Sequence, residues 1–301
     1  MTFTEKTKAE LLTKGFGSLE RQKAEAYGFL LFSSEFNERE ILFKSENSES
    51  CERLKTLINN LTGIKSKVFE AGGVKPYRLT VESDEDRIKL LSFFEHGNDI
   101  NLQVNQNNID GGCFGDFIKG VFLAAGNLSN PEKGYRIEFV SKHMALCISF
   151  LEYLSENDVV MSFIQRAGRF VVYTKDSSMI EDLLVLIGAG TSSLEIMNEK
   201  IYKDIRNKVN RVTNFENANI NKTVMSSESD CEAINYLLEH IDQKELSEEL
   251  ISAATLRIEN PEMSLSELCE IARPKVSRSG LYHRIKKLTA MAQEVRKREK
   301  G

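Results

Sequence analysis

Two stretches, residues 22–36 and 114–128, look like copies of one apolar helix built around a glycine. The second reads Phe117-Ile118-Lys119-Gly120-Val121-Phe122-Leu123-Ala124-Ala125-Gly126-Asn127-Leu128, and the first is centred on Gly28-Phe29-Leu30-Leu31-Phe32-Ser33-Ser34. The order of elements behind each helix repeats as well. After the first come a β-like stretch at Glu40–Lys44, an amphipathic helix at about Ser50–Leu61, and strand candidates Ile64–Phe69 and Tyr77–Val81 split by Ala71-Gly72-Gly73. A further helix opens at Ser83-Asp84-Glu85-Asp86. In the second pass, Asn127 and Ser129-Asn130-Pro131 read as a turn. An alternating strand at Tyr135–Val140, a helix at about 143–155, strands Val159–Ile164 and Phe170–Tyr173 broken at Ala167-Gly168, and a helix opening at Ser177-Ser178 come after it. Gly28 maps to Gly120, Asp84 to Asp176 and Ile64 to Val159, at offsets of 92, 92 and 95. Each half alone would expose one apolar helix face. Packing the two glycine helices together buries both, and small residues let their backbones approach. Gly120 and Ala124 share one side of the second helix, whereas Phe32 stands where the first should be small, so a looser crossing is expected on that side. The duplication demands an α+β domain with a pseudo-two-fold.

At 301 residues, 41% apolar and 28% charged, the chain is long enough for two soluble domains. No apolar run reaches the ~18–20 residues that cross a bilayer, and the start lacks the order of a signal peptide, so a cytoplasmic, nucleoid-associated location is expected. Five scattered cysteines without a C-x-x-C pair suggest reduced thiols rather than a disulfide framework or zinc site. Four dispersed histidines (96, 143, 240, 283) offer neither metal-ligand spacing nor a triad. Gly111-Gly112-Cys113-Phe114-Gly115 has no Lys-Ser/Thr at Walker spacing and is expected to be the flexible joint between the repeats, while Gly188-Ala189-Gly190-Thr191 should stop a helix. The net charge of −5 averages opposite blocks: residues 226–272 hold 12 acids against 2 bases, and residues 273–301 hold 10 bases against 2 acids.

The second glycine helix resembles a LAGLIDADG helix. A LAGLIDADG nuclease places a metal-binding acid one residue before the closing glycine, and that position is Ala125 here, with Ser33 at the corresponding point of the first copy. Two-metal cleavage needs carboxylates at the scissile phosphate. Ala125 offers no ligand atom and Ser33 a weak neutral one; Glu35 and Asp116 are displaced from the position. No catalytic residues, metal or cofactor are therefore expected, with Glu35 the one candidate to rescue a nuclease.

Residues 195–225 change character. Ile201, Ile205 and Val209 give a helix a narrow apolar stripe, succeeded by an asparagine-rich segment from Thr213 to Lys222 expected to be a linker. Arg206, Lys208, Arg211 and Lys222 either contact DNA phosphates or solvate a tether. From Ser226 the pattern is helical: about Glu228–Ile241, about Ser247–Ile258, and a short helix from Ser264 with a Ser264/Glu267 capping box. After Arg273-Pro274-Lys275-Val276, Ser277 caps a last helix through about Ala290. Two short helices joined by a turn, the second basic, describe a helix-turn-helix. Leu281, Ile285 and Leu288 should pack inward; Ser279, His283, Lys286 and Lys287 point away, flanked by Tyr282 and Arg284, with Arg278 and Ser279 at the end that enters a major groove. Lys275 and Ser277 complete the expected DNA-binding set.

Taken together, Gly120–Glu132, Arg206–Thr223 and Leu256–Ile285 make nearly the whole chain resemble the WhiA family of Gram-positive bacteria, a degenerate LAGLIDADG domain joined to a helix-turn-helix. The resemblance implies a non-enzymatic, sequence-specific DNA-binding regulator of transcription, cell division, chromosome segregation or, in sporulating relatives, sporulation. The expected domains are 1–194 (repeats at about 20–108 and 112–194), the basic helix and linker 195–225, and the helix-turn-helix domain 226–301. Double-stranded DNA is the expected partner. Residues 1–194 total −5, unlike a basic DNA-gripping sheet, which favours a protein-binding role for that domain toward transcription or cell-division proteins. An active Mg²⁺-dependent endonuclease and a pure interaction scaffold are the competing functions.

Overall fold

The computed structural model describes residues 1–96 and 102–299. The chain forms two compact units, Met1–Lys203 and Asp204–Gly301. In the first, α1 (Phe3–Leu12) precedes α2 (Leu19–Leu31), β1 (Glu35–Phe36), β2 (Ile41–Ser45), α3 (Ser48–Thr62), β3 (Lys67–Glu70), β4 (Tyr77–Thr80) and α4 (Asp84–Phe93). The series returns as α5 (Phe114–Ala125), β5 (Gly126–Leu128), β6 (Ile137–Ser141), α6 (Met144–Glu156), β7 (Ser162–Arg166), β8 (Arg169–Thr174) and α7 (Ser177–Ile187). The strands form two antiparallel sheets of identical order, β1-β2-β4-β3 and β5-β6-β8-β7. The fold is α+β, and its duplication is explicit.

The two glycine helices meet back to back. An ideal Cβ on Gly28 would lie 2.3 Å from the Phe117 carbonyl oxygen, and one on Gly120 would lie 2.0 Å from the Glu25 carbonyl oxygen. Each glycine thus faces the turn before the other, and only hydrogen fits there. The crossing is tight on both sides, contrary to the expectation from Phe32. That residue caps the C-terminus of α2, past the crossing, and packs edge-on against Phe150 at 5.0 Å. Beneath it lie Phe29, Phe43, Phe117, Phe122 and Phe139, all buried.

A buried charge cluster sits beside the crossing. The Glu25 carboxylate accepts from Arg53 Nε, from Arg53 Nη2 at 3.0 Å and from Lys119 Nζ at 3.1 Å. Arg53 also donates to the Lys14 carbonyl at 2.8 Å and lies over the Phe16 ring. Burial pushes the Lys119 ammonium pKa down, against the pull of Glu25. One carboxylate therefore ties α2, α3 and α5 together, which a Coulomb-favoured but desolvated cluster does only when fully bonded.

Two local expectations fail, and one element is not foreseen. Gly115 is not part of a flexible joint: it is inside α5, and a Cβ there would meet the Leu186 carbonyl oxygen at 2.6 Å, so it is a packing glycine. Asn127 belongs to β5, paired with Glu138 of β6, rather than to a turn. The N-terminal α1 has no counterpart among the expected elements, because its apolar residues are few. It is held by contacts that sequence periodicity does not register. Thr4 Oγ1 both donates to the Leu128 carbonyl (2.9 Å) and accepts from the Leu128 amide (2.8 Å), and Glu10 accepts from the Thr191 and Ser192 amides. Those amides open α8 (Gly190–His240), so Glu10 serves as a capping acid supplied from a distant segment.

α8 also corrects the linker expectation. Thr213 to Lys222 is helical despite its asparagines, and the division between the two units falls within this helix. The second unit continues with α9 (Glu248–Glu259), α10 (Leu265–Ile271) and α11 (Arg278–Glu299), which runs past the expected end at Ala290.

Candidate nucleic-acid interface

The first unit lacks the ligands of a cleavage centre at the two positions where the scaffold would supply them. Ser33 Oγ donates to the Leu30 carbonyl at 2.7 Å, with the Glu35 carbonyl at 2.9 Å. Ala125 closes α5 with no polar side-chain atom. Glu35, the candidate for rescue, is ion-paired with Lys142 of the other repeat, and Asp116 lies 3.7 Å from Arg21 Nε. Among the described residues no group of three His, Cys, Asp or Glu side chains is arranged to hold a metal ion.

Several charges on the second sheet are bonded to one another. In the second sheet, Glu138 accepts from Arg136 Nε at 2.9 Å and from Arg166 Nη2 at 3.1 Å, and the Arg136 guanidinium lies 4.1 Å from the Tyr173 ring centroid. Two arginines that could have met phosphates are bonded to one internal carboxylate. Sequence alternation could place Glu138 and Tyr173 on one face, but nothing in it signals that Arg136 stacks there.

The second unit is built differently. Leu281, Ile285, Leu288 and Ala292 of α11 pack with Ile234, Leu237, Leu250, Ala253, Ala254 and Leu268. The spacing is that of one helix face, as the sequence predicts. The capping box at Ser264 and Glu267 is present, and the Ser264 hydrogen bonds hold the Glu267 carboxyl below its ordinary range. Arg273 Nη1 donates to the Ala272 carbonyl at 2.9 Å, closing α10. Ser277 Oγ then accepts from the Gly280 amide at 3.1 Å, opening α11. These bonds define the turn of a helix-turn-helix and fix where the basic helix starts.

With the inner face buried, Lys275, Ser277, Arg278, Ser279, Tyr282, His283, Lys286 and Lys287 are all exposed. Among the described residues, Lys275, Arg278, Lys286 and Lys287 form no ion pair. Arg284 departs from the set: it is half-buried, and its Nη2 lies 3.0 Å from Glu249 Oε2 of α9. That ion pair links α11 to α9. One flank of α11, with Arg278, Tyr282 and Lys286, borders a groove of about 560 Å³ whose opposite wall includes Lys222 and Asp230. Burial raises the Asp230 carboxyl pKa, opposed by Arg257 and Lys286. Arg257 itself is almost fully buried, and its Nη1 donates to Ser227 Oγ (3.0 Å) and the Met263 carbonyl (2.7 Å). Arg206, Lys208, Arg211 and Lys222 are exposed on α8.

Comparison with known proteins gives concordant results. A model of the WhiA LAGLIDADG-like domain matches residues 114–206, and a model of the WhiA C-terminal HTH domain matches residues 209–292. The first begins at the second glycine helix, the copy that keeps the signature. "Probable cell division protein WhiA" of Clostridium tetani is 35% identical over 254 residues, covering 81% of this chain and 79% of that protein. The protein of that name in Lachnospira eligens is 31% identical over 312 residues, covering 98% of each. The crystal structure of full-length DUF199/WhiA from Thermotoga maritima aligns with a TM-score of 0.60 at 25% identity, covering 98% of this chain and 99% of that one.

Proposed function

The chain belongs to the WhiA family, and from that premise we propose that it is a non-catalytic, sequence-specific DNA-binding regulator acting in transcription and cell division. The observation that carries the proposal is the exposed row Arg278, Ser279, Tyr282, His283, Lys286 and Lys287 at the start of a capped helix in a helix-turn-helix. Arg278 and Ser279 stand on the first turn, where a recognition helix touches base edges, and an arginine there grips guanine O6 and N7 through two donors. Lys275, Lys286 and Lys287 supply phosphate charge, which sets register and salt dependence without choosing sequence. Arg206, Lys208, Arg211 and Lys222 on α8 extend the phosphate contacts. The absence of carboxylates at Ser33 and Ala125 supports a role without cleavage.

The first unit is proposed to dock a transcription or division protein rather than DNA. Two of its sheet arginines, Arg136 and Arg166, are bonded to Glu138, and residues 1–194 total −5, so the unit carries no excess of positive charge for a polyanion.

Binding of the full chain to genomic DNA fragments, with footprinting of the bound ones, tests the proposal. Arg278→Ala should cost about 1–3 kcal/mol at the selected site and relax its sequence preference. Lys287→Ala should weaken all sites alike and lower the salt slope by about one. Arg284→Ala should act on stability, since its partner is Glu249. Equal loss at all sequences from Arg278→Ala would reject its base-reading role.

A further inference from the structure

Between residues 194 and 215, α8 leaves a row of large apolar side chains in water. Leu194 is 62% exposed, Ile201 56%, Tyr202 64%, Ile205 56%, Val209 56%, Val212 49% and Phe215 68%. The first part of the helix has a buried side as well, and it is a different side. Ser193 and Ile196 are buried, Lys200 donates to Ser178 Oγ at 3.2 Å, and Lys203 donates to the Pro131 carbonyl at 2.5 Å. At about 100° per residue, Ile196 stands roughly 140° around the helix from Ile201. The apolar row therefore lies on another face than these contacts of the first unit.

The spacing identifies what the row fits. Residues 194, 198, 201, 205, 208, 212 and 215 advance in alternating steps of four and three, the a/d pattern of a heptad repeat. Positions a are Asn198, Ile205 and Val212; positions d are Leu194, Ile201, Lys208 and Phe215. β-Branched residues at a favour two parallel strands, and a single buried asparagine at a fixes register by pairing with its own copy. The flanks agree with self-pairing. In a parallel pair each g residue faces the next e residue of the partner, giving Met197 with Tyr202, Asp204 with Val209, and Arg211 with Glu216. One of these juxtapositions is uncharged, one sets Asp204 beside Val209, one is attractive, and none sets like charges together. Over residues 194–216 the helix has five bases and four acids, so a second copy is not repelled by net charge.

We propose that α8 associates with α8 of a second copy of this chain as a parallel, in-register, two-stranded coiled coil. Ile201, Ile205, Val212 and Phe215 form the seam, and Asn198 sets the register. Lys208 at a d position keeps the association weak, its ammonium snorkelling to the rim where a phosphate can reach it. The particle then offers two helix-turn-helix units, and its DNA site holds two half-sites. The pairing itself does not depend on the proposed DNA reading, and it is measured without DNA.

Sedimentation velocity of the full chain over a range of concentrations reads the 34.1 kDa monomer against a species of twice that mass. A concentration-dependent dimer is expected. Lys208→Leu should tighten it about tenfold or more, and Ile205→Asp with Val212→Asp should abolish it. These positions are exposed in the single chain, so unchanged circular dichroism confirms folding. Orientation is read by cross-linking in a background with Cys231→Ser and Cys269→Ser. Ile205→Cys should form a disulfide-linked dimer, since facing a positions lie within disulfide reach, whereas Asn210→Cys at an outer position should not. A chain that stays monomeric at every concentration, with and without Lys208→Leu, overturns the proposal. So does equal cross-linking at positions 205 and 210.

Discussion

Replacing Gly120 with alanine tests the helix crossing on which the first unit is built. The new Cβ would lie 2.0 Å from the Glu25 carbonyl oxygen, 2.9 Å from the Phe29 nitrogen and 3.0 Å from the Glu25 carbonyl carbon. All three are backbone atoms, so no side chain can rotate away. Restoring an ordinary contact requires α2 and α5 to part by about 1 Å or more, and a gap of that size forfeits roughly a quarter to a half of each dispersion well along the interface. Overpacking costs about 1–3 kcal/mol, and more when backbone must yield. Alanine returns up to about 1 kcal/mol through helix propensity. The net expectation is a loss of about 2–3 kcal/mol, or a fall in Tm of about 4–12 °C for a domain of this size. The assay is urea unfolding read by near-ultraviolet circular dichroism, which reports the packed Phe and Tyr side chains. Gly111→Ala is the control: a Cβ there meets nothing within 4 Å, and its midpoint should stay within about 0.5 kcal/mol of the parent. Gly28→Ala should destabilise similarly, and the double variant should lose less than the sum, because one parting of the helices serves both methyls. A Gly120→Ala chain that unfolds at the parental urea midpoint would refute the close crossing.

Two further predictions concern charges in the same unit. Glu25→Gln leaves Arg53 and Lys119 buried without their shared carboxylate and should cost about 3–5 kcal/mol by urea midpoint, with Lys119→Met added to it recovering part of the loss. At Glu10, burial works to raise the carboxyl pKa, but hydrogen bonds from Ser192 and Thr191 outweigh it and hold the value below the ordinary one. The folded pKa being depressed, its contribution is present above the unfolded value near 4.5 and is lost as pH falls through the folded value. Glu10→Gln should therefore cost about 1 kcal/mol at pH 7 and flatten the acid limb of the stability curve; an unchanged acid limb would remove Glu10 from its capping role.

The elements legible in the sequence are those that announce themselves locally. Alternation along Tyr135–Val140 gives β6, and Ser264 with Glu267 gives the start of α10, because pleat and cap act over three or four residues. The inner face of α11 is equally plain, since Leu281, Ile285 and Leu288 keep the helical period. The hidden features depend on partners far along the chain. The role of Thr4 is settled by Leu128, 124 residues away, and Gly115 is constrained by the Leu186 carbonyl. Arg284 illustrates the same limit at the candidate interface. Charge and helical position place it among the DNA-facing cations, but Glu249 stands within 3.0 Å, and nothing local distinguishes a partnered arginine from an open one. The helix through Thr213–Lys222 is obscured for another reason: asparagine disfavours helix in isolation, and propensity is a weak prior within a 51-residue helix anchored at both ends.

The fate of charge in the two units obeys one physical logic. Carboxylates at the C-terminal ends of two closely crossed helices oppose each other and the negative end of each helix dipole, and a bound cation is what makes that arrangement stable. With Ser33 turned onto backbone carbonyls and Ala125 carrying no charge, α2 and α5 can keep the close crossing without an ion to hold it. Several charges nearby are bonded to one another: Glu35 with Lys142, Glu138 with two arginines, Glu25 with Arg53 and Lys119. Such contacts fix geometry, and each carboxylate offsets one of the cations bonded to it. In α11 the opposite holds, because Arg278, Lys286 and Lys287 have no described ion-pair partner and their potentials add. On the proposed reading a polyanion meets the second arrangement, because the cations of α11 are the ones without a described carboxylate partner.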